Sequence, residues 1–339
     1  MHPSMKRFIQ AAFLALTHLL FAQQVSIPDT QFLKALIKEG VDVNQDSIIQ
    51  LSEAQAVHFL NVSYDSISDL SGIQSFTNLD TLICIGNLLS SLDMGSAPHL
   101  KKLDCYYNPL TTLEIRQCPA LSLLNCYANR ITFLDITQNK ALTWLQMGKN
   151  FLSALDVSQN TQLTFLECTF NSLTTLDVNQ NAALRTLLVS SNSLQTLDIS
   201  QNTQLEVLNC ASNQLESLQL GFAPELYNLD CSDNHLSTLD ISTNAKMDSL
   251  SCQDNPNLAR VCLTPSQADQ EFKWKKDPDT QWDISCGTPT GLDDEVLLPS
   301  KLVPARILNI QGSEVSPQEA LHGLFIYQYG NGTTKKVLK

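Results

Sequence analysis

The sequence predicts a solenoid of parallel β-strands wound from 21-residue coils, and three observations carry that prediction. Asparagine recurs every 21 positions without a slip, at Asn87, Asn108, Asn129, Asn150, Asn171, Asn192, Asn213, Asn234 and Asn255. Leucine stands five positions before each, from Leu82 to Leu250. Three positions before each stands a small or medium apolar side chain: Cys84, Cys105, Cys126, Met147, Cys168, Val189, Cys210, Cys231 or Cys252. A fixed period over so long a stretch marks stacked supersecondary units, none of which can bury its apolar face alone.

The unit reads LxxLxCxxNxLxxLDVSxNx. The apolar alternation of the LxC segment marks one short strand. A second apolar pair, such as Leu197 and Ile199, marks another extended segment on the far side. A buried amide donates and accepts at once, so each asparagine can tie loop backbone on neighbouring coils. The cysteine slot points into the core. Cysteines on adjacent coils are spaced by about 4.8 Å. A disulfide needs Cβ atoms about 3.5–4.5 Å apart, suitably aimed. The ladder therefore reads as reduced packing thiols that act as small hydrophobes. A metal site built on it fails because parallel side chains do not converge.

This pattern resembles the leucine-rich repeat family, whose core is LxxLxLxxNxL, over roughly residues 60–263. The resemblance implies a right-handed solenoid with a parallel β-sheet on its concave face. A 21-residue coil leaves little room for a helix, so the convex face is expected to be mostly extended or turn.

The segments outside the repeats follow in order. Residues 1–22 carry Lys6 and Arg7 ahead of an apolar run from Phe8 to Ala22, the pattern of a secretory signal peptide. No later segment is long and apolar enough to span a bilayer, so an exported chain that is not an integral membrane protein is expected. Residues 23–59 are expected to form a helical N-terminal cap, whose short amphipathic helix is opened by Pro28 and Asp29 and ends near Gly40. After it comes a loop similar in spacing to an EF-hand, with Asp42, Asn44, Asp46, Ile48 and Glu53 where that family binds calcium. Ser47 replaces the family's glycine at the sharp turn. Calcium binding and a plain polar cap loop are both open here, and no other cofactor is implied.

Residues 264–286 break the period and carry Trp274 and Trp282, as expected of a C-terminal cap over an exposed core. In an oxidising compartment a disulfide between Cys262 and Cys286 would staple it. Cys118 stands on the convex side where other coils carry Asn or Ala, with no role assigned. Residues 287–304 read as a linker and 305–339 as a small β tail. The stretches ILNIQGSEV, GLFIYQY and GTTKKVLK resemble the C-terminal sorting domain of type IX secretion substrates. That resemblance implies secretion or display at the outer cell surface, with the secretion machinery as a partner of the tail. The usual YPNP start is replaced by LLPSKLVP.

The 339 residues hold 21 basic against 34 acidic side chains, a net charge of −13, which argues against nucleic acid. The histidines are scattered, and no nucleophile–base pair, zinc spacing or phosphate loop is present. The acidic slot of the repeat, from Asp93 to Asp240, reads as turn chemistry. An enzyme is not expected. Function is expected on the concave face, at Lys102, Asp104, Tyr106, Tyr107, Tyr127, Trp144, Lys149, Phe165 and Phe170. Six rings fall in four adjacent coils of a chain that is 7% aromatic, the mark of an interaction patch. A secreted or surface protein-binding module, such as an adhesin or a host- or matrix-interaction protein, is the expected function. The alternatives are a carbohydrate-binding accessory protein and a structural surface-layer component.

Overall fold

Alternation decides which side chains enter the core. In each coil a leucine sits at the centre of a three-residue strand with its side chain fully buried, while its two neighbours face outward. Ten such strands form one parallel sheet: Phe59–Asn61, Thr81–Ile83, Lys102–Asp104, Leu123–Asn125, Trp144–Gln146, Phe165–Glu167, Thr186–Leu188, Val207–Asn209, Asn228–Asp230 and Ser249–Ser251. The central leucines stay in register, as in Leu103, Leu124, Leu145 and Leu166. The structure, a computed structural model, describes residues 23–268, 274–285 and three further short strands near the carboxyl terminus. The predicted signal peptide, the linker and Cys286 lie outside the described residues.

The cysteine lies just past the strand rather than within it. Its N–H still continues the ladder, with Cys84 donating to the Asp104 carbonyl at 2.8 Å and Cys105 to Asn125 at 2.9 Å. Cys84, Cys105, Cys126, Cys168, Cys210, Cys231 and Cys252 are free thiols with no exposed surface. The far side is extended or turn as expected. Parallel pairs form there between Ser91–Asp93 and Thr112–Glu114 and between Thr196–Asp198 and Ser217–Gln219. The acidic slot closes the turns: Asp135, Asp156, Asp177, Asp198 and Asp240 each accept from the N–H two residues on, at 2.8–3.0 Å. Glu114 departs from this and pairs with Arg116 instead.

Two polar ladders fasten coil to coil. In the front one, each Asn side chain accepts from an N–H of the preceding coil and donates to carbonyls of both coils. Asn108, for example, accepts from Leu89 at 3.2 Å and donates to Cys84 at 3.0 Å and Cys105 at 3.1 Å. The second ladder, on the convex side, is built from the second asparagine of the repeat unit: Asn139, Asn160, Asn181, Asn202 and Asn244, all fully buried. Each donates two hydrogen bonds, or one for Asn244, while its carbonyl oxygen has no partner among the described residues. Cys118 occupies this same file and is likewise buried.

The caps continue the ladders. At the N-terminus, helix α1 (Thr30–Lys38) and helix α2 (Leu51–Ala56) flank the EF-hand-like loop. Asp29 caps α1 and also accepts from Ser68 and Asp69 of the first coil, tying cap to solenoid. Burial alone would raise its carboxyl. Hydrogen bonds from the Ser68 hydroxyl and the N–H groups of Phe32, Ser68 and Gln31 outweigh that and hold it at about 2, against 3.8 ordinarily. The folded value lies below the unfolded one, so the stabilisation is complete above the unfolded value and lost as pH falls through the folded one. Asp29→Asn is expected to cost about 1 kcal/mol at pH 6, after discounting for solvent screening of a half-exposed group. The gap in urea midpoint between variant and parent should close as pH falls from about 4 toward 2. A gap that is constant with pH would refute this account.

In the loop, Asp42 accepts from the N–H groups of Asp46 and Ser47, Asp46 from Ile48, and Glu53 from Val43 and Gln50. Ser47 takes φ +63°, the left-handed turn that glycine would fill. The carboxylates are thus turned to backbone, and among the described residues no three His, Cys, Asp or Glu side chains form a metal-binding group.

At the other end, Trp274 is buried against the core and donates its indole N–H to the Asp248 carbonyl at 3.1 Å. Trp282 meets it edge-on at 5.6 Å. Asp277 caps the front ladder by accepting from Asp254 and Asn255, and Gln267 caps the convex one by donating to Ile241 and Asn244. Cys262 is disulfide-bonded. A separate unit, Gly287–Lys339, contains an antiparallel three-stranded sheet of Arg306–Leu308, Leu324–Gln328 and Thr334–Leu338.

Candidate functional site

Register turns the concave sheet into rows that cross the coils. One row runs Lys102, Leu123, Trp144, Phe165, and the next Asp104, Asn125, Gln146, Glu167. Beyond the strands lie two more: Tyr106, Tyr127, Gly148, Thr169, and then Tyr107, Ala128, Lys149, Phe170.

The rows bring most of the expected residues together in two groups. Trp144 and Phe165 stack face to face, with centroids 3.7 Å apart and planes 3° from parallel. Tyr106 packs tilted against both Tyr107, at 5.8 Å, and Tyr127, at 5.7 Å. Lys149 joins the tyrosines to Phe170, its ammonium 5.7 Å from the ring centres of both Tyr127 and Phe170. Such exposed cation–ring contacts are worth about 0.5–1 kcal/mol each. The rings remain open to solvent: Tyr107 is 64% exposed, Phe170 53% and Trp144 39%. Lys102 stands apart from the ring stack, with Leu123 between it and Trp144. Asp104 is half-buried, and desolvation raises its carboxyl against the opposing pull of the Tyr106 N–H and the Asn125 amide.

The outermost row is held under strain. Tyr107, Lys149 and Phe170 have φ of +58°, +50° and +51°, and the equivalent place one coil before Tyr107 is filled by Gly86 at +65°. Left-handed backbone costs an L-residue about 1–2 kcal/mol. The coil needs this bend to deliver each ladder asparagine, and glycine would make it without cost. The same bend recurs at Ala128, Ser191, Ser212, Asp233 and Asp254, so it belongs to the coil, and it fixes the direction in which Tyr107, Lys149 and Phe170 leave the surface.

Glu167 belongs to an outward row yet is only 4% exposed. Its carboxylate folds over Gly148, accepting from that residue's N–H at 3.1 Å, from the Thr169 N–H at 3.0 Å and from the Thr169 hydroxyl. Burial raises its carboxyl, and these hydrogen bonds oppose the shift. A Cβ at Gly148 would collide with that carboxylate. The glycine, standing where two previous coils have Tyr106 and Tyr127, was the available signal.

Strand alternation also could not reveal the rim beyond the asparagines. There an open groove of about 590 Å³ crosses four coils, lined in part by Leu88, Tyr107, Pro109, Arg130 and Lys149.

No protein-family model matches the sequence, and no curated protein matches it. Solved structures do. The functional domain of InlJ from Listeria monocytogenes, which includes a cysteine ladder, is 31% identical with a TM-score of 0.60, over 76% of this chain and 62% of that one. The leucine-rich repeat protein LIC12759 of Leptospira interrogans is 24% identical with a TM-score of 0.57, over 69% and 62%. The ectodomain of the Arabidopsis thaliana receptor kinase GASSHO1/SCHENGEN3, solved with CASPARIAN STRIP INTEGRITY FACTOR 2, shares the fold at 17% identity and a TM-score of 0.54, over 68% and 31%. The chain folds as a leucine-rich repeat solenoid. It spans 62% of the length of each of the first two neighbours. Among the described residues no helix is long and apolar enough to cross a membrane.

Proposed function

We propose that this leucine-rich repeat chain is an exported protein-binding module that captures its partner on the concave face, across the four coils from Tyr106 to Phe170. The observation that carries this is the exposed Trp144–Phe165 stack together with the tyrosine cluster that Lys149 links to Phe170, set on a sheet that two polar ladders make rigid. Rigid, solvent-exposed aromatic side chains lose little entropy on binding and make the usual anchors of protein interfaces. The signal-peptide pattern and the resemblance of the tail to a type IX sorting domain support secretion or display at the cell surface. In such an oxidising place, a Cys262–Cys286 bond would hold the C-terminal cap.

One observation favours a glycan as the second reading. The amides of Asn125 and Gln146 lie in the row beside the Trp144–Phe165 stack. Amides beside aromatic side chains suit the hydroxyls and C–H groups of a sugar. The experiment uses the full chain and a folded Tyr106→Ala, Tyr127→Ala, Trp144→Ala, Phe165→Ala variant, on host and matrix protein extracts and on a glycan array. The parent should retain a ligand that the variant binds about 100-fold more weakly. A protein ligand supports an adhesin-like role and a sugar supports the second reading. Equal retention by both forms would remove the concave rings from the site.

A further inference from the structure

The rim groove shares Tyr107 and Lys149 with the tyrosine cluster and adds a second cation, Arg130. Arg130 and Lys149, on adjacent coils about 4.8 Å apart, both line it, and no carboxylate does. Four other surface cations of the solenoid are paired locally, Lys101 with Asp80, Arg116 with Glu114, Arg185 with Glu206 and Lys246 with Glu225, while Lys102 and Lys140 have no ion pair among the described residues. Neither Arg130 nor Lys149 has an ion-pair partner among the described residues. Lys149 is also held over two rings and in left-handed backbone, so its ammonium is placed rather than free to wander. Apart from the ladder asparagines Asn87, Asn108 and Asn129, whose amides are bonded within the coils, the remaining lining is apolar or aromatic, with Leu88 59% and Tyr107 64% exposed.

We propose that this groove receives a short segment of the partner protein that carries one or two carboxylates flanked by apolar residues. The carboxylate sits between Arg130 and Lys149, and the apolar neighbours lie on Leu88, Tyr107 and Pro109. This rests on the reading of the chain as a protein-binding module. The net charge of −13 does not forbid an acidic ligand. At physiological salt charges are screened beyond about 8 Å, so the groove's own two cations govern the bound state. The same net charge sets a limit, because a strongly acidic partner would be repelled by the rest of the surface. A short acidic and apolar motif satisfies both conditions.

The test is to select short random displayed peptides on the full-length chain, with counterselection on an Arg130→Gln, Lys149→Gln variant that keeps the parent's melting profile. Enriched peptides should combine Asp or Glu with apolar residues. Made synthetically and titrated by fluorescence anisotropy, they should bind the variant at least roughly tenfold more weakly than the parent. Their Gln- and Asn-substituted twins should lose a similar factor on the parent and nothing further on the variant. No enrichment, enrichment of basic or uncharged peptides, or equal affinity for parent and variant would overturn the proposal. A separate Trp144→Ala variant distinguishes the two readings. Peptides that lose affinity there but not on the cation variant would reject the groove and keep the concave-face site. Peptides indifferent to both variants would reject both.

Discussion

Asn150→Ala is expected to destabilise the solenoid by about 3–5 kcal/mol. Its amide donates to the carbonyls of Cys126, Met147 and Gly148 at 3.0, 2.9 and 3.2 Å, and its oxygen accepts from the Ile131 N–H at 2.9 Å. The carbonyls are partly insured, since Asn129 also reaches Cys126 and Asn171 also reaches Met147. The Ile131 N–H has no second acceptor and would be stranded in the core, a penalty of about 1–3 kcal/mol on top of the lost bonds and the cavity. The convex ladder supplies the control. Asn160 donates to Ile136 and Asn139, but its own oxygen is unpartnered. Those two carbonyls also accept from the N–H groups of Asn139 and Leu142, so Asn160→Ala strands nothing and removes an orphaned acceptor. It should cost about 1–2 kcal/mol. Urea unfolding of both variants decides the matter: equal losses would mean that partner counting does not explain the front ladder.

The eight free cysteines should resist alkylation by several orders of magnitude relative to an exposed thiol until the chain unfolds. Desolvation pushes the Cys126 thiol up to about 12, helped by the nearby Glu167 charge, and Cys252 likewise to about 12. At pH 8 a thiol titrating near 12 is thiolate for only about one part in 10⁴ of the time, before its lack of access is counted. Iodoacetamide labelling followed by intact mass should therefore rise with the unfolding rate as urea is added, with the eight thiols reacting together. Labelling of one ladder cysteine in the native state, without the others, would show that a coil opens alone.

The period of the asparagines and leucines made the concave sheet legible because one buried side chain per coil must repeat if the coils are to stack. The placement of Tyr106, Tyr107, Tyr127, Trp144, Lys149, Phe165 and Phe170 on neighbouring coils followed from the same arithmetic. Three things escaped it. The convex asparagines from Asn139 to Asn244 stand in the repeat unit, but their joining into a second ladder did not follow from it, since Cys118 and Ala223 interrupt the slot. The burial of Glu167 depends on space left by Gly148 in another coil, which no single repeat displays. Leu88, Pro109 and Arg130 lie past the ladder asparagine, where alternation has ended and only three-dimensional stacking shows that they share a groove.

The left-handed residue ahead of each ladder asparagine gives the molecule a division of labour between heredity and invention. Everything inward of it is constrained by the neighbouring coil, while the side chain it bears is fixed in direction but not in kind: Tyr107, Ala128, Lys149, Phe170, Ser191, Ser212, Asp233 and Asp254 all occupy it. A single codon change there rewrites one position of a linear display at a spacing set by the sheet, and the frame on either side need not answer. The surface can thus be retuned to a new partner one coil at a time.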